Sequence, residues 1–99
     1  MMSQKPLQIL AELSCKPGEE ARVEVQAVAF VERTRSQPGC MGATLHRIDE
    51  EPRFVFIAEF ADEETLVKHL DSGWRKEALA GLPDLLASWP RRFTMRRVA

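Results

Sequence analysis

Two side chains stand out as able to move protons: Glu59, set inside an apolar strand-like run, and His69, further along the chain. A carboxylate in an apolar run is costly unless it is paired or hydrogen-bonded. Glu59 therefore reads either as a general base or substrate anchor, or as a partnered acid that holds the fold or a subunit interface. His69 follows Leu66 by three residues and precedes Leu70, which places it at the border of a helix's apolar face. Imidazole exchanges protons near neutral pH, so His69 reads as an acid–base group or as an edge residue. His46, beside Arg47 and close to a turn, has weaker claims. Trp74, Trp89, Phe54, Phe56, Phe60 and Phe93 supply aromatic area. Most of these rings belong in a core. An irregular helical stretch over a sheet can nevertheless leave a cleft for a small aromatic molecule, with Trp74, Phe56 and Phe60 as the expected contacts.

Several chemistries are excluded by what the chain lacks. It contains no P-loop, GxGxxG, HExxH or GxSxG pattern and no tyrosine. Cys15 and Cys40 form no CxxC or metal-like cluster, so they read as reduced thiols, and no metal site is expected. With 44% apolar and 29% charged residues and a net charge of −1, the composition is that of an ordinary globular protein. Nothing in that balance points to nucleic acid. Arg91, Arg92, Arg96 and Arg97 are the one basic excess, read as a solvated edge or as an anion or nucleic-acid contact. Residues Met1 to Pro6 lack a leader pattern, and no stretch has the roughly 18 apolar residues of a spanning helix. A cytoplasmic protein with no membrane partner is the expectation, as a single domain over residues 1–99.

The elements that must position these groups follow from periodicity. Leu7, Ile9, Ala11, Leu13 and Cys15 alternate with more polar neighbours, a strand pattern ended by Lys16-Pro17-Gly18. A helix is predicted from Glu19 to about Arg35, its stripe being Val23, Ala27, Phe30, Val31 and Thr34. Strands are predicted over Cys40 to Ile48 and Arg53 to Ala61, joined by the Asp49–Pro52 turn. Asp62 should cap a helix running to about Leu70, and Asp71-Ser72-Gly73 should break it. A further helical piece, Trp74 to Leu79, leads to a short helical or turn segment over Leu85 to Trp89 and a last strand over Phe93 to Val98. The βαββαβ order predicts an α+β ferredoxin-like fold: a four-stranded antiparallel sheet with its helices on one face. Val55 and Ile57, on the other side of the third strand, and Leu10 would then form an exposed apolar patch. A second copy covering that patch, sheet against sheet, predicts a homodimer.

Three groups of residues carry a family resemblance. Lys16-Pro17-Gly18, Arg35-Ser36-Gln37-Pro38-Gly39-Cys40, and Glu59-Phe60-Ala61-Asp62-Glu63-Glu64 leading to His69-Leu70-Asp71-Ser72 resemble the antibiotic biosynthesis monooxygenase family in order and spacing, from about Leu7 to Trp89. The resemblance implies a dimeric α+β barrel and includes oxygenases that need no cofactor and act on quinols or aromatic polyketides. It also implies that Glu59 corresponds to the family's strand acid and His69 to its helix histidine. The chain departs from its quinol-oxidising relatives at Ala43, where many have tyrosine, and at Trp74, where a second histidine often follows. It also departs after Glu59, where Phe60 and Ala61 replace the usual pattern ending in tryptophan. The haem-degrading branch is less similar, since Ala11-Glu12-Leu13 lacks its asparagine and no histidine follows His69. The implied activity is oxygenation of a small hydroxylated aromatic, with His69 taking or relaying a proton, Glu59 orienting it or the substrate, and no cofactor. A ligand-binding or regulatory dimer without catalysis, or an isomerase or lyase, remains as the alternative on the same scaffold.

Overall fold

Alternation along β1 (Leu7–Ser14) buries Leu7, Ile9 and Leu13 and leaves Gln8, Leu10 and Glu12 on the opposite side. In this computed structural model, which describes residues 5–99, β1 is a central strand of a four-stranded antiparallel sheet of order β2-β3-β1-β4. Of the stretch Met1 to Pro6, for which no leader is expected, Met1 to Gln4 lie outside the described residues. The connection after β1 turns at Gly18, whose φ of +84° favours a residue without a Cβ. Helix α1 (Glu20–Arg35) then buries Val23, Ala27, Phe30, Val31 and Thr34, the stripe read from the sequence. The Thr34 hydroxyl donates to the Phe30 carbonyl at 2.7 Å, which satisfies a polar group at a fully buried position.

Gly39, at φ +82°, turns the chain into β2 (Cys40–Ile48), and a Cβ at this position would collide with the Thr65 side chain. β3 (Arg53–Phe60) pairs with both β2 and β1. Its alternation is strict: Phe54, Phe56, Ala58 and Phe60 are buried beneath the helices, while Arg53, Val55, Ile57 and Glu59 are half-buried on the far face. Asp62 caps α2 (Glu63–Leu70) by accepting the Thr65 backbone N–H at 2.9 Å. After the break at Asp71 and Ser72 comes α3 (Gly73–Ala78).

Two segments near the C-terminus differ from the expectation. The region predicted as helical or turn over Leu85 to Trp89 is instead a 3-10 turn at Leu82–Leu85, where Pro83 sets the tight start. Leu86 then bridges to Cys15 as an isolated β-pair. Trp89 is 81% exposed rather than part of the core. The last strand, expected over Phe93 to Val98, is β4 (Arg91–Met95). Its final partner on β1 is Gln8, opposite Met95; the next pairs would fall on Leu7 and on Pro6, which has no N–H to donate. The ladder therefore stops before Val98 and starts as soon as Pro90 is passed. Both thiols are free, Cys15 buried and Cys40 half-buried.

The sheet has two unlike faces. The helix side carries two apolar clusters, one around Leu7, Phe56, Phe60 and Leu66, the other around Leu13, Val23, Phe54 and Leu86. The far side carries Leu10, Val55, Ile57, Phe93 and Met95 by register, and no helix among the described residues covers it. No helix among the described residues is long and apolar enough to cross a membrane.

Candidate functional site

Between the two clusters on the helix side lies a cavity of about 560 Å³, a volume within the usual range for small-molecule sites. It borrows wall from both: Ile9, Phe30 and Phe56 from one, Leu13, Leu82 and Leu86 from the other. The alternation of β1 supplies its floor, since Ile9, Ala11 and Leu13 all point to the helix side. The irregular run from α3 to Pro90 supplies its rim through Arg75, Leu82, Leu86 and Pro90.

His69 enters this cavity from α2. It is 3% exposed, with ring centroids 5.0 Å from Phe60, 5.7 Å from Trp74 and 6.1 Å from Phe30. Its Nδ1 is buried without a hydrogen-bond partner. Burial first, and the Arg75 charge second, lower its pKa from 6.5 to about 4, so the ring is neutral at pH 7. On its other side His69 borders a second pocket of about 60 Å³ with Gln37, Pro38, Thr65 and Lys68, of which Pro38 and Lys68 are exposed. His69 thus lines both spaces.

The other expected site residues divide. Phe56 lines the cavity and packs against Phe30 at 5.4 Å between centroids. Phe60 and Trp74 stand behind the imidazole rather than in the cavity wall. Trp74 is half-buried, with the Arg33 guanidinium 4.7 Å from its ring centroid, and its Nε1 is buried without a partner. Glu59 is not part of this group. It lies on the far face of β3, where Gln8 Nε2 donates to its Oε2 at 3.2 Å. The strand's period of two decides this: Phe60 faces the helices, so its neighbour Glu59 cannot. Within one subunit Glu59 therefore does not orient His69. Among the described residues no group of three or more His, Cys, Asp or Glu side chains could hold a metal ion.

Three residues that the sequence does not assign to a small-molecule site line the cavity. Phe30 touches Phe56, His69 and Trp74 and is the hub of the aromatic cluster. Arg75 and Arg92 line the cavity from α3 and β4. The sequence groups Arg92 with Arg91, Arg96 and Arg97, as a solvated edge or an anion or nucleic-acid contact; the signal that separates it from Arg91 is the alternation of β4, which places Arg92 opposite Ala11 on the helix side.

Comparison with known proteins bears on this arrangement. Residues 6–81 match the family described as antibiotic biosynthesis monooxygenase. An uncharacterised protein of Synechocystis is 24% identical over 95 residues. The match covers 95% of this chain but 64% of that protein, so the chain spans less than two thirds of the curated relative's length. Among solved structures, Rv0793 of Mycobacterium tuberculosis superposes with a TM-score of 0.87 at 17% identity, over 96% of this chain and 97% of the other. A variant of SnoaB, a cofactor-independent oxygenase from Streptomyces nogalater, has a TM-score of 0.86 at 16% identity, over 96% and 95%. PA3566 of Pseudomonas aeruginosa has a TM-score of 0.85 at 25% identity, over 100% and 99%. At such identities the likeness carries the ferredoxin-like fold and leaves the reaction to be argued from the cavity.

Proposed function

The chain belongs to the antibiotic biosynthesis monooxygenase family, and on that premise we propose that it is a cofactor-independent monooxygenase acting on a small hydroxylated aromatic, a quinol or polyketide-like ring, and that it works as a homodimer. The observation that carries the reading is the aromatic-walled cavity of about 560 Å³ with a neutral, unpartnered imidazole at its wall. In this reaction the substrate supplies the electrons. A phenol with a ring C–H and dioxygen become a quinone and water: one oxygen atom becomes the new ring carbonyl, and the other leaves with the ring hydrogen and the hydroxyl hydrogen.

The step that needs the protein is formation of the substrate anion that reacts with oxygen. His69, neutral at pH 7, is free to accept the proton. It is a weaker base than the sequence implied. Against an ordinary imidazole the transfer from a phenol of pKa near 10 costs about 3.5 units, or roughly 5 kcal/mol. Against a His69 of pKa about 4 it costs about 6 units, roughly 8 kcal/mol. That difference must come from stabilisation of the anion within the cavity. The position of His69 between the cavity and the smaller pocket supports a relay, in which a proton taken from substrate leaves on the Lys68 side.

The uncovered far face of the sheet supports the dimer. Leu10, Val55, Ile57, Phe93 and Met95 share it with Glu12, Arg53 and Glu59, and the Arg53–Glu12 contact of 3.4 Å leaves the charges of this face of both signs. A second copy of the same face matches apolar to apolar and can pair these charges across the interface. Glu59 then belongs to the interface and His69 to the reaction.

Oxygen uptake with a panel of quinols and anthrones tests the activity. Uptake is expected with wild type and lost in both H69A and H69Q, with far-UV circular dichroism unchanged. No uptake across the panel would overturn the oxygenase reading. Turnover that persists without oxygen points to the isomerase or lyase. The separation of Glu59 from His69 favours one alternative in particular, a ligand-binding dimer without turnover, and ligand binding unaffected by both His69 variants would select it.

A further inference from the structure

The cavity carries charge. Its lining includes Arg75 and Arg92 and no carboxylate. The chain has acids to spare, and four contacts between basic and acidic side chains form elsewhere, at Arg22, Arg53 and Lys68. Among the described residues neither Arg75 nor Arg92 takes part in one. Arg75 is half-buried, and its Nε is shut off from water without an acceptor. Burial, and then the charge of Arg92, both work against its ionised form. Its own charge reaches His69. Arg75 and Arg92 line the same otherwise apolar space as His69, and their charges act on neighbours there, Arg92 on Arg75 and Arg75 on His69.

Arg75, half-buried without a counter-ion and beside the charge of Arg92, is destabilising in the empty protein through its desolvation and through repulsion. A bound anion removes both costs. We propose that Arg75 and Arg92 form an anion-binding pole of the cavity, and that its ligand is a planar aromatic bearing one carboxylate, held between the two guanidinium groups with its rings against Phe30 and Phe56.

The chemistry favours a carboxylate over the other oxyanions. Guanidinium presents its donors as a planar fork that matches two oxygens on one carbon. A phenol, with a pKa near 10, arrives uncharged at neutral pH and has one oxygen. A phosphate carries more charge and more acceptors than this cavity can satisfy, since beyond the two arginines its one other titratable side chain is His69. The inference rests on the cavity being the substrate site, and it narrows the substrate to an aromatic acid, anchored at the arginine end so that another part of the ring system meets His69.

The test is binding of 2-naphthoate and of its uncharged isostere 2-naphthamide to the full chain, followed by tryptophan fluorescence, since Trp89 lines the cavity and Trp74 contacts His69. Wild type should bind naphthoate at least tenfold more tightly than naphthamide. Arg92→Gln, on an exposed edge strand, should weaken naphthoate tenfold or more and leave naphthamide unchanged. Arg75→Gln should do the same, and R92K should restore part of the loss. If R75Q does not fold, R92Q decides alone. Equal affinity for the two ligands, no binding of naphthoate, or naphthoate binding untouched by R92Q would each overturn the proposal. Arginine-dependent naphthoate binding without oxygen uptake on any hydroxylated substrate overturns the oxygenase reading and leaves the anion pole standing.

Discussion

Acidification should destabilise this protein through His69 in a way that one substitution removes. The folded-state pKa of about 4 lies below the unfolded value of 6.5, so between these values the unfolded chain holds a proton that the folded chain refuses. The contribution of His69 to stability is therefore complete above pH 6.5, falls as the pH drops, and levels off below about 4. Linkage puts the loss at about 2 kcal/mol at pH 5 and roughly 3 kcal/mol at pH 4. The group is almost wholly buried, so solvent screening does not reduce the figure much. Urea unfolding of wild type and His69→Gln at pH 7.5, 6, 5 and 4, at one fixed protein concentration, isolates it. Every other titrating group contributes to both proteins and cancels in the difference. The gap between the two stabilities should change by about 2 kcal/mol from pH 7.5 to 5. The imidazole resonance of His69, assigned with a His46→Gln variant, should titrate near 4. Parallel stability curves, or a titration midpoint near 6.5, would refute a desolvated imidazole and with it the larger uphill cost worked out for proton transfer to His69. Adding an aromatic carboxylate that binds beside Arg75 should raise the midpoint, because the anion offsets the charge that helps hold it down.

Two further outcomes follow from the sheet and the turn. Ile57→Glu puts a charge in the middle of the uncovered face, opposite Leu10, and should convert a dimer into a monomer by light scattering at micromolar concentration. A wild-type protein that is already a stable monomer under those conditions would remove the interface. Gly39→Ala places a Cβ against the Thr65 side chain at a φ of +82° and should cost about 1–3 kcal/mol in urea unfolding, whereas an unchanged midpoint would mean that the turn relaxes freely.

Much of this architecture is written in local patterns. The two-residue alternation of Leu7, Ile9 and Leu13 and of Phe54, Phe56 and Phe60 selects a strand with one buried face, whatever else the chain does. The Val23–Thr34 stripe selects a helix of matching length, and Asp62 with Thr65 marks the start of the next by a hydrogen bond between near neighbours. The Arg96–Val98 end of the last strand was misread because strand termination depends on the partner, and Pro6 lies far away in sequence. The Leu85–Trp89 segment was misread because its pairing partner is Cys15, also distant.

The same division separates the site. From residue types and spacing came the ferredoxin-like order, the apolar far face, and His69 as a group bordering the core. Which groups share a cavity was decided in three dimensions. Glu59 and His69 are both sound candidates along the chain, but a sheet separates them, because one residue's shift along a strand reverses the face. Arg75 and Arg92 look like ordinary surface arginines along the chain, but β4 pairs with β1 so as to place Arg92 on the helix side, where Arg75 feels its charge. The pKa of His69 was settled there as well. Periodicity can say that a side chain turns inward, but the depth of burial and the sign of the nearest charge are properties of the assembled fold.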